Sequence, residues 1–156
     1  MKNRVKMPSI NPQEGTNVCP GLIFFINGWE STGSNEILNL KLLYPPSVNE
    51  IYSHVGRKRF VNKDGKNFYN YINKVFYLFN YPRFEDAKLE AILNLYPKDR
   101  RRRDLDNPQK ILFDSFKKVG LYNDDTQIKK CTTIMNDPNA SLPQPYIEIA
   151  IFRLTT

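Results

Sequence analysis

Residues 107–120 read Asn107-Pro108-Gln109-Lys110-Ile111-Leu112-Phe113-Asp114-Ser115-Phe116-Lys117-Lys118-Val119-Gly120, and this stretch decides the fold. Its punctuation is that of a helix. Asn107 is a candidate N-cap, and Pro108 suits the first helical position, where the N–H is not needed. Gly120 suits the left-handed residue that closes a helix. Between these marks Ile111, Leu112, Ser115, Phe116 and Val119 share one helical face, leaving Lys110, Asp114, Lys117 and Lys118 mostly outside.

Strands flank this helix. Upstream, residues 87–96 alternate, with Leu89, Ala91, Leu93 and Leu95 on one face, and Pro97 ends them. Downstream, a strand is expected over about 126–135, a turn over 136–145, and a last strand carrying Ile147, Ile149 and Ile151 on one face. Further out, residues 37–44 alternate through Leu38, Leu40 and Leu42 until Pro45-Pro46. A polar, basic loop, with room for a short extended piece, follows over 47–61. Asn62 can cap a helix starting near Lys63, with Phe68, Ile72, Val75, Phe76 and Phe79 on one face and Tyr81-Pro82 as its stop. Residues 22–26 suit a short strand and 31–35 a loop. The first twenty residues, with Pro8, Pro12, Gly15 and Pro20, suit a loose arm. The order argues an α+β fold: two helices packed on a mixed, mainly antiparallel sheet.

The 156 residues fit one domain and carry a net charge of +7, with a pI near 9.4. That excess suits a polyanionic partner. Most of the basic residues fall between Arg57 and Lys130. His54 is the only histidine, which excludes a zinc site built on several imidazoles. Cys19 and Cys131 make no disulfide framework and are expected to be free thiols in a reducing cytosol. No apolar run is long enough to span a membrane, and no secretory signal pattern follows the basic N-terminus.

The chemistry concentrates around the start of the decisive helix. Arg100-Arg101-Arg102-Arg103 runs directly into Asp104-Leu105-Asp106, Lys110 follows one turn later, and Asn123-Asp124-Asp125-Thr126-Gln127 follows the helix. Guanidinium forks bind phosphate oxygens bidentately, and paired carboxylates suit the hard Mg²⁺ ion. Together they are what metal-assisted phosphodiester chemistry requires. In an extended approach to the helix, Asp104 and Asp106 would point one way and Leu105 to the core. A lone Asp-x-Asp at a helix start is usually explained by the macrodipole, and a lone acidic pair by a turn. Here four arginines, Lys110 and a second acidic pair accompany it. Tyr69, Tyr71 and Tyr77 are read as core or surface packing residues rather than base-stacking ones.

This pattern closely resembles the RusA family of Holliday-junction resolvases. The matching residues are Arg101 to Asn107, Gln109-Lys110, Phe113-Asp114, Gly120, Asp124-Asp125 and Gln127. Upstream they are Pro45-Pro46-Ser47, Asn49, Tyr52, His54, Gly56-Arg57, Val61, Gly65 and Tyr69. The resemblance covers roughly residues 37–154. It implies a RusA-like endonuclease domain over 37–156; it says nothing about residues 1–36, which read as a partly disordered arm added ahead of that domain. It implies a small, homodimeric, Mg²⁺-dependent endonuclease of a bacterial or phage-infected cytoplasm, cutting four-way DNA junctions by paired nicks. It also implies that Asp104, Asp106 and Asp125 hold the metal, with Asp124 the second choice to Asp125, and that Lys110 is essential. Arg57, Lys58, Arg59, Arg101, Arg102 and Arg103 are then the expected phosphate contacts. Two other readings stand beside it: a nuclease for flaps or forks, and a branched-DNA-binding protein without catalysis.

Overall fold

A computed structural model describes residues 29–32, 35–79, 83–142 and 144–154. In chain order the elements are β1 (Trp29–Thr32), β2 (Asn35–Leu43), α1 (Val48–Ile51), β3 (Tyr52–Val55), β4 (Lys58–Val61), α2 (Lys63–Phe79), β5 (Leu89–Tyr96), α3 (Asp106–Lys118), a 3-10 turn (Asp125–Gln127), β6 (Ile128–Met135) and β7 (Tyr146–Arg153). They form two compact units, one ending at residue 44 and resuming over 87–101 and from 128, the other covering 45–86 and 102–127.

The first unit is a five-stranded sheet in the order β1-β2-β7-β5-β6. Only β5 and β6 run parallel; the other neighbours are antiparallel. The mixed, mainly antiparallel sheet is therefore as the alternation implied. Register explains the core. Leu38, Leu40 and Leu42 stand opposite Ile151, Ile149 and Ile147, which in turn face Ala91, Leu93 and Leu95 on the far side. Side chains alternate across a sheet, so these nine occupy one face, and all are buried. Each buried Leu or Ile contributes roughly 1.5–3 kcal/mol. The edge strand β6 is largely exposed and carries Lys129 and Lys130, charges that discourage pairing with other chains. Lys130 Nζ lies 2.8 Å from the buried Glu90 carboxylate.

The second unit holds the helices. Ser47 caps α1 with a reciprocal bond to Glu50, and the Asn62 side chain accepts from the Gly65 amide at the start of α2. Ile51, Phe68, Ile72, Val75, Phe76, Ile111, Leu112 and Phe116 are buried, with Phe76 and Phe116 rings 5.5 Å apart. The end of α3 is built around Gly120. Its φ is +74°, and an added Cβ would meet the Arg83 guanidinium at 2.0 Å. Arg83 donates to the carbonyls of Val119 and Gly120, which the helix itself leaves unpaired.

Four expectations need revision. The loop over 31–35 gives way to the β1–β2 pair, in which Ser31 faces Glu36 and Thr32 faces Asn35. Residues 47–61 hold α1 and the β3–β4 hairpin, because the Ser47–Glu50 box and Gly56 supply local order that polarity hid. α3 begins at Asp106, so Asn107 lies inside it, and Leu105 precedes it without a side-chain cap. Leu105 is itself in helical conformation and 45% exposed, so it does not point to a core. Cys131 is free and exposed, whereas Cys19, the arm and the strand over 22–26 lie outside the described residues. No helix among the described residues is long and apolar enough to cross a membrane.

Candidate functional site

The sequence-derived site residues all belong to the second unit except Arg101, the last residue of the first unit's 87–101 segment. The bend before α3 exposes Asp104 and Asp106 together. The Asn107 amide donates to Asp104 Oδ2 at 3.3 Å, so Asn107 braces the first acid rather than capping the helix. The Asp106 carboxylate, in the first turn of α3, has no hydrogen-bond or ion-pair partner among the described residues. Lys110 sits one turn further on the same face, exposed and without an ion pair. The free amides and positive dipole end of α3 add to the attraction this face holds for an anion.

The later acidic pair splits into two roles. Both carboxylate oxygens of Asp124 are engaged. Lys117 Nζ lies 2.5 Å from its Oδ2, and the Thr126 amide donates to its Oδ1 at 3.0 Å. The Lys117 ammonium and that amide hold the Asp124 carboxyl well below the usual carboxylate range, and Asp124 in turn raises Lys117. Asp125, at the start of the 3-10 turn, is exposed and its carboxylate accepts no hydrogen bond among the described residues. An acid already engaged by a lysine is a poor choice for a metal ligand. An acid held in place with its oxygens unused is a good one.

What holds this turn is Gln127. Its side-chain oxygen accepts from the backbone amides of Asn123 and Asp124, both at 2.8 Å, and its amide donates to the Glu85 carbonyl. Asn123 reaches the same neighbouring turn by donating to Asp86 Oδ1. Glu85 adopts φ +49°, a left-handed conformation that a non-glycine residue takes only when its surroundings enforce it. Tyr122 is buried and donates to the Phe113 carbonyl, which ties the turn to the middle of α3. Burial, reinforced by Asp125 and Asp114, drives the Tyr122 phenol upward, so it stays a neutral donor. Sequence reading singled out neither Lys117 nor Gln127, Asn123, Asp86 or Tyr122 as functional. Gln127 was visible only as part of a motif, because its role depends on a loop forty residues away in sequence.

The basic residues divide as well. Arg57, Lys58 and Arg59 are all exposed on the β3–β4 hairpin, and the Arg59 guanidinium stacks 3.7 Å from the Tyr52 ring. Arg101 is exposed and pairs with Asp99 at 3.4 Å, Arg102 is exposed, and Arg103 is half-buried. The tyrosine expectation holds for Tyr71, which is buried, and for Tyr69, whose ring lies under Lys118 at 3.5 Å. Burial and then Tyr52 push the Tyr69 phenol up to about 12. Tyr77 is 84% exposed and therefore not a core residue.

Among the described residues, no group of three or more His, Cys, Asp or Glu side chains stands at metal-binding spacing. Asp104 and Asp106 lie at the start of α3, and Asp125 in the turn beyond its end. The donor chemistry does fit a hard divalent cation: exposed carboxylates, two of them unengaged, with no competing thiol or imidazole on α3 or the following turn.

A simple titration separates Asp124 from an ordinary surface acid. Carbon-detected NMR is expected to show its carboxyl titrating below the usual Asp range, and to show that midpoint rising in Lys117→Met. A depressed pKa stabilises the fold above the ordinary range and loses that effect as pH falls through it, so the contribution disappears only in strong acid. An unchanged midpoint in the variant would break the assignment of Lys117 as its partner.

Comparison with known proteins matches residues 43–151 to the family model described as "Endodeoxyribonuclease RusA". The crossover junction endodeoxyribonuclease RusA of Escherichia coli strain K12 is 32% identical over 98 residues, covering 58% of this chain and 75% of that protein. The protein of the same name from Shigella sonnei strain Ss046 is 31% identical over 98 residues, with the same coverage. The corresponding protein of Enterobacteria phage 82 is 29% identical over 90 residues, again covering 58% and 75%.

Proposed function

The chain belongs to the RusA endodeoxyribonuclease family, and from that premise we propose that it is an endonuclease that resolves four-way DNA junctions, using Mg²⁺ and acting as a homodimer in the cytoplasm. The observation that carries the reading is the face of α3 where the unengaged Asp106 carboxylate and the unengaged Lys110 ammonium stand one turn apart. The helix dipole accounts for an acid at this position but not for an uncommitted ammonium beside it, and the pair together suits a cation and the phosphate it acts on.

Asp104, Asp106 and Asp125 are the residues that would hold the metal. Bound there, a divalent ion supplies Lewis-acid polarisation of the scissile phosphate and a water of lowered pKa. Asn107 orients Asp104, and the Gln127 bonds fix the backbone that presents Asp125. Lys110 stabilises the charge that develops on the phosphoryl oxygens during in-line displacement. Lys117 keeps Asp124 out of the ligand set. Arg57, Lys58, Arg59, Arg101, Arg102 and Arg103 grip backbone phosphates and position the DNA without reading its sequence. A two-fold dimer suits the substrate, because two equivalent sites can nick two strands of one junction.

Cleavage of matched junction, fork and linear duplex substrates of one sequence tests this reading. Junction cleavage is expected to exceed the others; a preference for forks or flaps would make the chain a different structure-specific nuclease. Light scattering is expected to give a dimer at micromolar concentration, and a monomer that stays monomeric on the junction would refute the assembly.

The arginines have their own test. Changing Arg101, Arg102 and Arg103 together to Ala is expected to flatten the slope of log affinity against log salt by roughly two to three units, at about −0.9 per duplex phosphate contact. The loss should be similar for junctions of different sequence. An unchanged slope, with circular dichroism intact, would mean the run is only solvated charge.

A further inference from the structure

The β3–β4 hairpin carries a feature that phosphate binding leaves unexplained. Val55 is 68% exposed and Phe60 is 45% exposed. Register places both on one face: Val55 pairs with Lys58 and Ser53 pairs with Phe60, so Ser53, Val55, Lys58 and Phe60 project the same way. The opposite face takes Tyr52, His54, Arg59 and Val61. Gly56 has φ +60° with nothing within 4 Å of where a Cβ would stand, and Arg57 has no positive φ, so the tip is a tight II′-type turn open to its surroundings.

The base of the hairpin is fixed as firmly as its tip is open. The Asn62 amide donates to the Ile51 carbonyl at 2.8 Å. Gly65 of α2 comes so close that a Cβ there would lie 2.6 Å from the Val61 side chain and 2.9 Å from Ile51. A two-stranded ribbon alone is marginal, so this anchoring is what makes the projection rigid. From Tyr52 to Val61 the ribbon contains Arg57, Lys58, Arg59 and no acidic residue. The exposed apolar surface is therefore set within a cationic field, which fits a polyanion that also offers apolar surface. In DNA the largest apolar surface is the base face, which opens only where bases are unstacked. In linear duplex the base faces are covered; at the strand exchange of an open junction the stack is interrupted.

We propose that this hairpin is a branch-point wedge: Arg57, Lys58 and Arg59 hold phosphates of adjoining arms while Phe60, with Val55 beside it, stacks on a base exposed at the strand exchange. The proposal rests on the junction reading above and names the element that tells branched DNA from linear. Apolar side chains inserted at a base step and aromatic platforms under single bases are general means of holding unstacked nucleotides.

The test uses the full chain, in Ca²⁺ to prevent cutting, on a four-way junction with 2-aminopurine at the crossover and on a linear duplex of the same sequence. Wild type is expected to prefer the junction and to raise the 2-aminopurine fluorescence. Val55→Ala with Phe60→Ala is expected to bind the junction about 5- to 150-fold more weakly, the range of one base–aromatic stack, and to lose the fluorescence rise while duplex affinity holds. Both side chains are exposed, so the fold should survive, and Phe60→Trp should restore the preference. A double variant that keeps the wild-type preference and signal overturns the wedge alone. A double variant that turns from dimer to monomer also overturns it, because the face would then be covered by a second copy. A wild type without junction preference overturns the functional reading and the wedge with it.

Discussion

Asp106→Asn is expected to stop junction cleavage while leaving junction binding in place. Asn keeps the size and removes the ligand charge. The carboxylate is exposed, lies in the first turn of α3 and has no partner among the described residues, so the substitution breaks no hydrogen bond or ion pair that the fold relies on. Loss of a metal ligand forfeits several kcal/mol of transition-state stabilisation, roughly a thousandfold or more in the single-turnover rate. Folding should be affected only slightly, since an acid at a helix start contributes about 0.3–1 kcal/mol through the macrodipole. Rates within a few-fold of wild type would remove Asp106 from the metal site.

Lys110→Ala is expected to lower single-turnover cleavage by roughly a hundred- to a thousandfold, the effect of removing one preorganised charge from a developing oxyanion. Junction affinity should fall far less, because Lys110 is one cation among many and the proposed phosphate contacts would be shared with the arginines of the hairpin and of the run before α3. Lys110→Arg distinguishes position from charge: it restores binding fully and cleavage only in part, because a planar fork does not replace a compact ammonium. If the whole loss in the Ala variant lay in affinity, Lys110 would be a clamp and not a participant in the chemistry.

Much of the fold was legible because it is carried by periodicity. Leu38, Leu40 and Leu42, then Leu89 to Leu95, then Ile147, Ile149 and Ile151, alternate without interruption, and each set became a strand of one sheet. α3 was legible at its end, where Gly120 meets both a backbone demand and the Arg83 guanidinium. Its start was less so. Asn107-Pro108 is a strong local signal, yet Leu105 already adopts helical angles and Asn107 turns back to Asp104. The hairpin was hidden because its strands are short, polar and mostly exposed, so they carry no alternation to read. The site was legible as a list of residues and not as a device. That Asp124 is engaged and Asp125 is not depends on Lys117, and the presentation of both depends on Gln127 reaching Glu85. Neither bond follows a spacing rule that the chain displays.

Cleavage of branched DNA is proposed here for Asp104, Asp106, Asp125 and Lys110. It is tested most directly by incubating the purified protein with an end-labelled four-way junction, with Mg²⁺ and with EDTA, and mapping every cut on all four strands. Mg²⁺-dependent nicks are expected at symmetry-related positions in two opposing strands near the exchange point, with none in EDTA. Binding without nicks at any Mg²⁺ concentration, or cuts scattered along the arms as in linear duplex, would contradict it.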